Sequence, residues 1–148
     1  MKRGTRLMFY ISALIAIAGA VSYQFFVRRI PASLNPIVSI TAVYLAVLVL
    51  AFALLPLFPA KGGLVKHIKQ LSWVQLAVAG AVFLLELGFL LMYRYGWNLS
   101  TGNLVTGAIV NVVLLGVGVL ALGETVNWVN IVGIALCILG VALTGYRA

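Results

Sequence analysis

Five apolar runs dominate this sequence, and each is about as long as the hydrocarbon core of a lipid bilayer is thick. A core of about 30 Å is crossed by about 20 helical residues. The runs are continuous rather than alternating, which favours α-helices over the strands of a membrane barrel. The sequence therefore predicts an all-α integral membrane protein, a five-transmembrane-helix bundle forming one domain over residues 1–148. The predicted spans are 7–27, 36–58, 71–93, 104–122 and 128–146.

Composition supports the same class. Of the 148 residues, 64% are hydrophobic and only 8% are charged, which excludes an ordinary soluble globular domain. The net charge of +8 could suggest a nucleic-acid partner, but the basic residues fall between the apolar runs rather than along one face. Such a distribution is typical of membrane topology, so the expected partner is the lipid bilayer and not nucleic acid.

The connections between the spans are short, which predicts antiparallel neighbours packed in one bundle. Residues 96–103 contain several polar and glycine residues and are predicted to form a connection. Residues 64–71 could form a short basic helix at the membrane surface, with Lys66 and Lys69 near lipid phosphates.

The basic residues are divided almost evenly between the two sides of the predicted bundle. With five spans, six of the ten Lys and Arg residues lie on the side of the N-terminus and four on the other. The positive-inside rule then places the N-terminus in the cytoplasm. The difference is small, so insertion in both orientations also remains open. The first group is Lys2, Arg3, Arg6, Lys61, Lys66 and Lys69; the second is Arg28, Arg29, Arg94 and Arg147.

Glu86 is a single carboxyl group inside an apolar run. A charge at that depth costs about 2.5–3.5 kcal/mol, so it is rarely kept without a partner or a task. One interpretation is a neutral carboxyl group that is hydrogen-bonded to a neighbouring helix, with Asn111 as the obvious partner. The other is a proton-responsive or cation-responsive group that lines an internal cavity. The second acidic residue, Glu124, falls in a polar turn where water can solvate it.

Four further polar side chains at membrane depth are candidates for lining such a cavity. They are Asn111, Tyr44, Gln24 and Thr106. For Tyr44 and Thr106 the alternative is a hydroxyl group that bonds to its own backbone or to the membrane interface. No group of residues suggests a metal site, a cofactor or a catalytic set, so an enzyme is not expected.

Small residues mark where helices can approach each other closely. Gly133 and Gly140 in the last run are seven positions apart, which places them nearly on one face of a helix. This spacing predicts a face on which a second copy of the chain could pack. Ordinary packing within one chain is the alternative.

The C-terminal half resembles a known family. A Gly123-Glu124 turn precedes the run 130–141, in which Gly133 and Gly140 are the two glycines. This pattern is similar to the end of an EamA-type domain of the drug/metabolite transporter superfamily, and the last helix also resembles the dimerising helix of small multidrug resistance transporters. The resemblance covers the third to fifth spans. The first span has no acidic residue, so the essential carboxylate of the latter family has no counterpart there.

The resemblance implies a fold of two five-helix repeats of opposite orientation, with substrate bound between them near the membrane midplane. One chain of this length supplies one repeat. We therefore expect a transporter of small molecules or metabolites that acts as an antiparallel homodimer, with proton coupling as an option, in a bacterial or archaeal plasma membrane. The alternative is a non-transporting membrane subunit, or half of a heterodimer with a paralogous chain.

Overall fold

A computed structural model describes residues 3–59 and 62–145, with side chains described for 8–59 and 62–143. The described residues form helices without any strand, so the all-α prediction is confirmed for this part of the chain. In chain order the helices are α1 (Arg3–Val27), α2 (Pro36–Leu54), a short 3₁₀ helix (Leu55–Leu57), α3 (Leu64–Ile68), α4 (Trp73–Arg94), α5 (Leu99–Leu122) and α6 (Trp128–Gly145).

Four segments are long and apolar enough to cross a membrane: α1, α2 together with the 3₁₀ helix, α4 and α5. Their large apolar side chains are mostly exposed, as a surface covered by lipid chains allows. The fifth predicted span is shorter, because the apolar part of α6 covers only Trp128–Leu143. Its predicted end at Tyr146 lies outside the described residues. These lengths fit a multi-pass membrane protein, whereas the count of five spans stays a prediction.

The chain forms two compact units. The first, which we call the central unit, is Phe26–Arg94, and within it α2 packs against α4. The second, which we call the terminal unit, contains the described residues on both sides of the central unit. Within it α5 packs against α6.

Two prolines and one asparagine set the limits of α2. The side chain of Asn35 accepts hydrogen bonds from the backbone N–H groups of Ile37, at 2.9 Å, and Val38, at 3.3 Å. Pro36 occupies the first turn, where its missing N–H costs nothing. At the other end Pro56 falls in the 3₁₀ helix, because a proline cannot continue the α-helical bond pattern. The predicted span of 36–58 is therefore an α-helix that tightens before its end.

The start of α5 differs from the prediction. The polar residues 96–103 indicate a connection, but the helix begins at Leu99 and not at 104. Asn98 adopts an extended conformation at the N-cap, and its carbonyl oxygen accepts a hydrogen bond from the N–H of Gly102 at 2.8 Å. The polar side chains of the first turn belong to the helix, because a helix start tolerates such residues.

A folded-back turn ends α5. Gly123 takes the left-handed conformation, with φ of 66°, and the N–H of Glu124 bonds to the carbonyl oxygen of Gly118 at 2.9 Å. The carboxyl group of Glu124 then lies directly over Gly118, so a Cβ atom at position 118 would clash with Oε2. Gly118 is thus covered by the turn that follows its own helix.

Reporter fusions can test the predicted topology. With five spans, reporters placed at Gly63 and after Ala148 are expected to lie on opposite sides of the membrane. If the chain inserts in both orientations, each fusion gives a mixed signal. A clean signal from one and the same side at both positions would contradict the five-span topology. The measurement is the activity of a paired cytoplasmic and periplasmic reporter at each site.

Candidate functional site

The contact between α2 and α4 positions the candidate site inside the central unit. Ile40 of α2 and Leu90 of α4 are almost fully buried, at 4% and 3% exposure. Tyr44 follows Ile40 by four positions on α2, and Glu86 precedes Leu90 by four positions on α4. Residues four apart share one helix face, so the faces that bury Ile40 and Leu90 also carry Tyr44 and Glu86.

Glu86 and Tyr44 face each other across this helix pair. The hydroxyl group of Tyr44 is close enough to the carboxyl group of Glu86 to interact with it electrostatically. The two groups do not reach full hydrogen-bond geometry, however. Oη of Tyr44 and Oε2 of Glu86 are both buried and have no hydrogen-bond partner among the described residues.

Unpaired polar atoms of this kind are costly in an apolar environment. Leaving one buried donor or acceptor without a partner costs about 1–3 kcal/mol. A small shift would let the Tyr44 hydroxyl donate to the carboxylate of Glu86, and a bound proton or cation would satisfy the carboxylate in another way. The carboxyl group of Glu86 can therefore be ionised in one state and neutralised by a proton or a cation in another. This exchange is the chemistry that a coupling site requires.

Asn111, the expected partner of Glu86, lies on α5 in the terminal unit, where its side chain is exposed. Inside the central unit the polar group that faces Glu86 is the Tyr44 hydroxyl. The sequence identifies both Glu86 and Tyr44 as candidates but does not pair them. The register of α2 against α4 brings Glu86 and Tyr44 together. Because both runs are apolar on all sides, the sequence does not show which faces pack against each other. A hydrogen bond between Glu86 and Asn111 stays a prediction.

The other two candidates, Gln24 and Thr106, both lie in the terminal unit. Nε2 of Gln24 donates a hydrogen bond to Oδ1 of Asn103 at 3.1 Å, which links α1 to α5. The sequence misses Asn103, because it falls in the region predicted as a connection. The hydroxyl group of Thr106 donates to the carbonyl oxygen of Gly102 at 2.8 Å, one turn earlier in its own helix. Thr106 therefore makes the backbone bond that was the alternative to lining a cavity.

Gly133 and Gly140 lie on an open face of α6. Both residues are exposed. A Cβ atom built at either position would meet no atom within 4 Å in the terminal unit, apart from the helix itself. The packing of α5 against α6 thus leaves this face uncovered. Dimerisation through it stays a prediction.

Neither a metal-binding cluster nor a similarity to a known protein assigns a site to this chain. Among the residues that the structure describes, no three His, Cys, Asp or Glu side chains lie together as a metal site would require. No family model, curated protein or solved structure matches this chain. The candidate site is therefore the Glu86–Tyr44 pair, and it is assigned from its own geometry alone.

Proposed function

We propose that this protein is a membrane transporter of small molecules or metabolites, and that it uses Glu86 to exchange protons with its substrate. The observation that carries the proposal is the buried Oε2 of Glu86, which has no hydrogen-bond partner among the described residues. A carboxyl group whose only role was to bond to a neighbour would be expected to have that bond. One that binds ions in turn needs free capacity.

The Tyr44 hydroxyl gives this exchange a second component. When Glu86 is ionised, the hydroxyl can donate to the carboxylate and stabilise its charge. When a proton or a cationic substrate occupies the carboxyl group, the hydroxyl is released. Binding of the proton and binding of the substrate then exclude each other, which is the basis of coupled exchange.

We propose that the working unit is an antiparallel homodimer. Two copies of opposite orientation would form the inverted-repeat architecture that the resemblance to drug/metabolite transporters implies. The open glycine face of α6 supports this arrangement, because two backbones can approach closely where side chains are absent. The nearly even division of basic residues supports insertion in both orientations.

Transport can be tested with the full-length protein in liposomes that contain a pH-sensitive dye. A panel of small organic cations and neutral metabolites is added outside, under an imposed pH difference. We expect at least one compound to cause a saturable movement of protons that protein-free liposomes lack. If no compound moves protons or crosses the membrane, and the chain co-purifies with a paralogous partner, the protein is the non-transporting subunit or half of a heterodimer.

A further inference from the structure

A cavity lies in the central unit, at the end of α4 and against the connection between α1 and α2. Its volume is about 230 Å³. Arg28 and Arg94 line it together with the ring of Tyr93, and Val27, Ile30 and Leu90 form its apolar wall. Because one water takes about 30 Å³ in the liquid, the cavity has room for several waters or for one group the size of a phosphate ester.

Hydrogen bonds hold the side chain of Arg94 in place but do not use all of its donors. Its Nη2 donates to the carbonyl oxygen of Pro31 at 3.4 Å and to that of Leu34, which attaches the end of α4 to the chain before α2. Its Nε is buried and has no hydrogen-bond partner among the described residues. A guanidinium group fixed in this way loses little rotamer freedom when it binds an anion, and it still has a donor to offer.

The chemistry of the remaining lining selects an anion. Arg28 lies close enough to the hydroxyl group of Tyr93 to interact with it, so two guanidinium groups and one hydroxyl group line the same small space. Guanidinium groups bind phosphate oxygens through paired, charge-assisted hydrogen bonds. An apolar wall beside these donors suits a ligand whose charged head continues into a hydrocarbon part.

The position of the cavity along the chain indicates where the anion comes from. Arg94 is the last residue of α4, and Arg28 directly follows the last residue of α1. Both helices are long and apolar enough to cross a membrane, so their ends are expected at the level of the lipid headgroups. Phosphate groups of lipids are concentrated at this level.

We propose that the cavity formed by Arg28, Tyr93 and Arg94 binds the phosphate group of an anionic lipid. The two arginines contribute the charge and the donors, and the apolar wall accommodates the start of the lipid chains. The site is separate from Glu86, which precedes Arg94 by about 12 Å along the axis of α4, at 1.5 Å per residue. It does not depend on the proposed transport function.

The test is a lipid titration of the purified full-length protein in neutral detergent, followed by native mass spectrometry. The probe is phosphatidylglycerol, and diacylglycerol with the same chains serves as the phosphate-free comparison. We expect phosphatidylglycerol to bind and diacylglycerol not to bind. Arg28→Gln and Arg94→Gln should each weaken phosphatidylglycerol binding by at least about tenfold, since each removes a charge-assisted donor. Arg28→Gln leaves the bonds from Arg94 to Pro31 and Leu34 in place, so the test holds even if Arg94→Gln misfolds.

Arg29→Gln is the matched control, because Arg29 is as exposed as its neighbour Arg28 but does not line the cavity. It should change the affinity by less than about twofold, because Arg29 offers no donor to a group inside the cavity. An equal loss from Arg28→Gln and Arg29→Gln would reduce the effect to general surface charge and overturn the proposal. Inorganic phosphate that binds as tightly as the lipid, with the same arginine dependence, would overturn the lipid assignment. Absence of any binding would leave a water-filled cavity and overturn the proposal altogether.

Discussion

Replacing Glu86 with glutamine is expected to abolish the pH dependence of the proposed transport while it leaves the helical fold intact. The amide has nearly the shape of the carboxyl group and can still form hydrogen bonds, but it cannot exchange a proton between about pH 5 and about pH 9. Wild-type transport should vary with pH in this range, whereas the variant should give a flat profile. The measurement is substrate-driven proton movement in liposomes, with helix content followed by circular dichroism.

Three further variants separate a functional from a structural role of Glu86. Glu124→Gln removes the only other acidic residue of the chain, which lies in the turn after α5, and should leave the pH profile unchanged. Tyr44→Phe removes the hydroxyl group that faces Glu86 and should shift the profile without flattening it. If Glu86 only bonds to Asn111, Glu86→Gln should be nearly silent, while Glu86→Leu leaves a polar group unpaired and lowers stability by about 1–3 kcal/mol. Identical pH profiles for the wild type and Glu86→Gln would rule out proton exchange at this residue.

Leucine at Gly133 or Gly140 is expected to convert the proposed homodimer into a monomer. Each glycine lies on the open face of α6, and a leucine there would hold the two backbones apart. Overpacking of this kind costs about 1–3 kcal/mol, so the dissociation constant should rise by about 5-fold to about 140-fold. The measurement is the mass of the protein in detergent by analytical ultracentrifugation over a range of protein concentrations.

Gly80→Leu is the matched control for the dimer experiment. Gly80 is also an exposed helical glycine, and a Cβ atom there would meet no atom of the central unit within 4 Å beyond its own helix. All three substitutions raise helix propensity, so none should impair folding of its helix. An oligomer that persists in both Gly133→Leu and Gly140→Leu would show that the dimer uses another surface.

The limits of the helices follow from the sequence where a single residue has a strong conformational preference. Asn35 and Pro36 mark the start of α2 correctly, because an N-cap side chain and a first-turn proline act locally. The start of α5 is predicted too late. Its first turn is polar, and polarity alone does not show whether a segment is a connection or a helix that leaves the membrane.

The residues of the candidate site could be predicted, but their pairing could not. Glu86 and Tyr44 stand out because polar groups are rare in apolar runs. Which of them face each other depends on the register of α2 against α4, and runs that are apolar on all sides contain little information about register. The sequence also does not predict the hydrogen bond from Gln24 to Asn103, because Asn103 falls in the region predicted as a connection. Nothing in the sequence predicts the hydrogen bonds from Arg94 to the carbonyl oxygens of Pro31 and Leu34, because these bonds depend on the tertiary structure.

If α4 crosses the membrane, the depth of Glu86 on this helix makes its charge state sensitive to the membrane potential. A proton that reaches Glu86 from the Arg94 end travels about 12 Å of a hydrocarbon core of about 30 Å, if α4 crosses along the membrane normal. It therefore crosses about two fifths of the electric field. Since one elementary charge gains or loses about 2.3 kcal/mol per 100 mV, the voltage contributes about 0.9 kcal/mol per 100 mV to protonation. An energised membrane would thus load or unload this carboxyl group even when the pH on the two sides is equal.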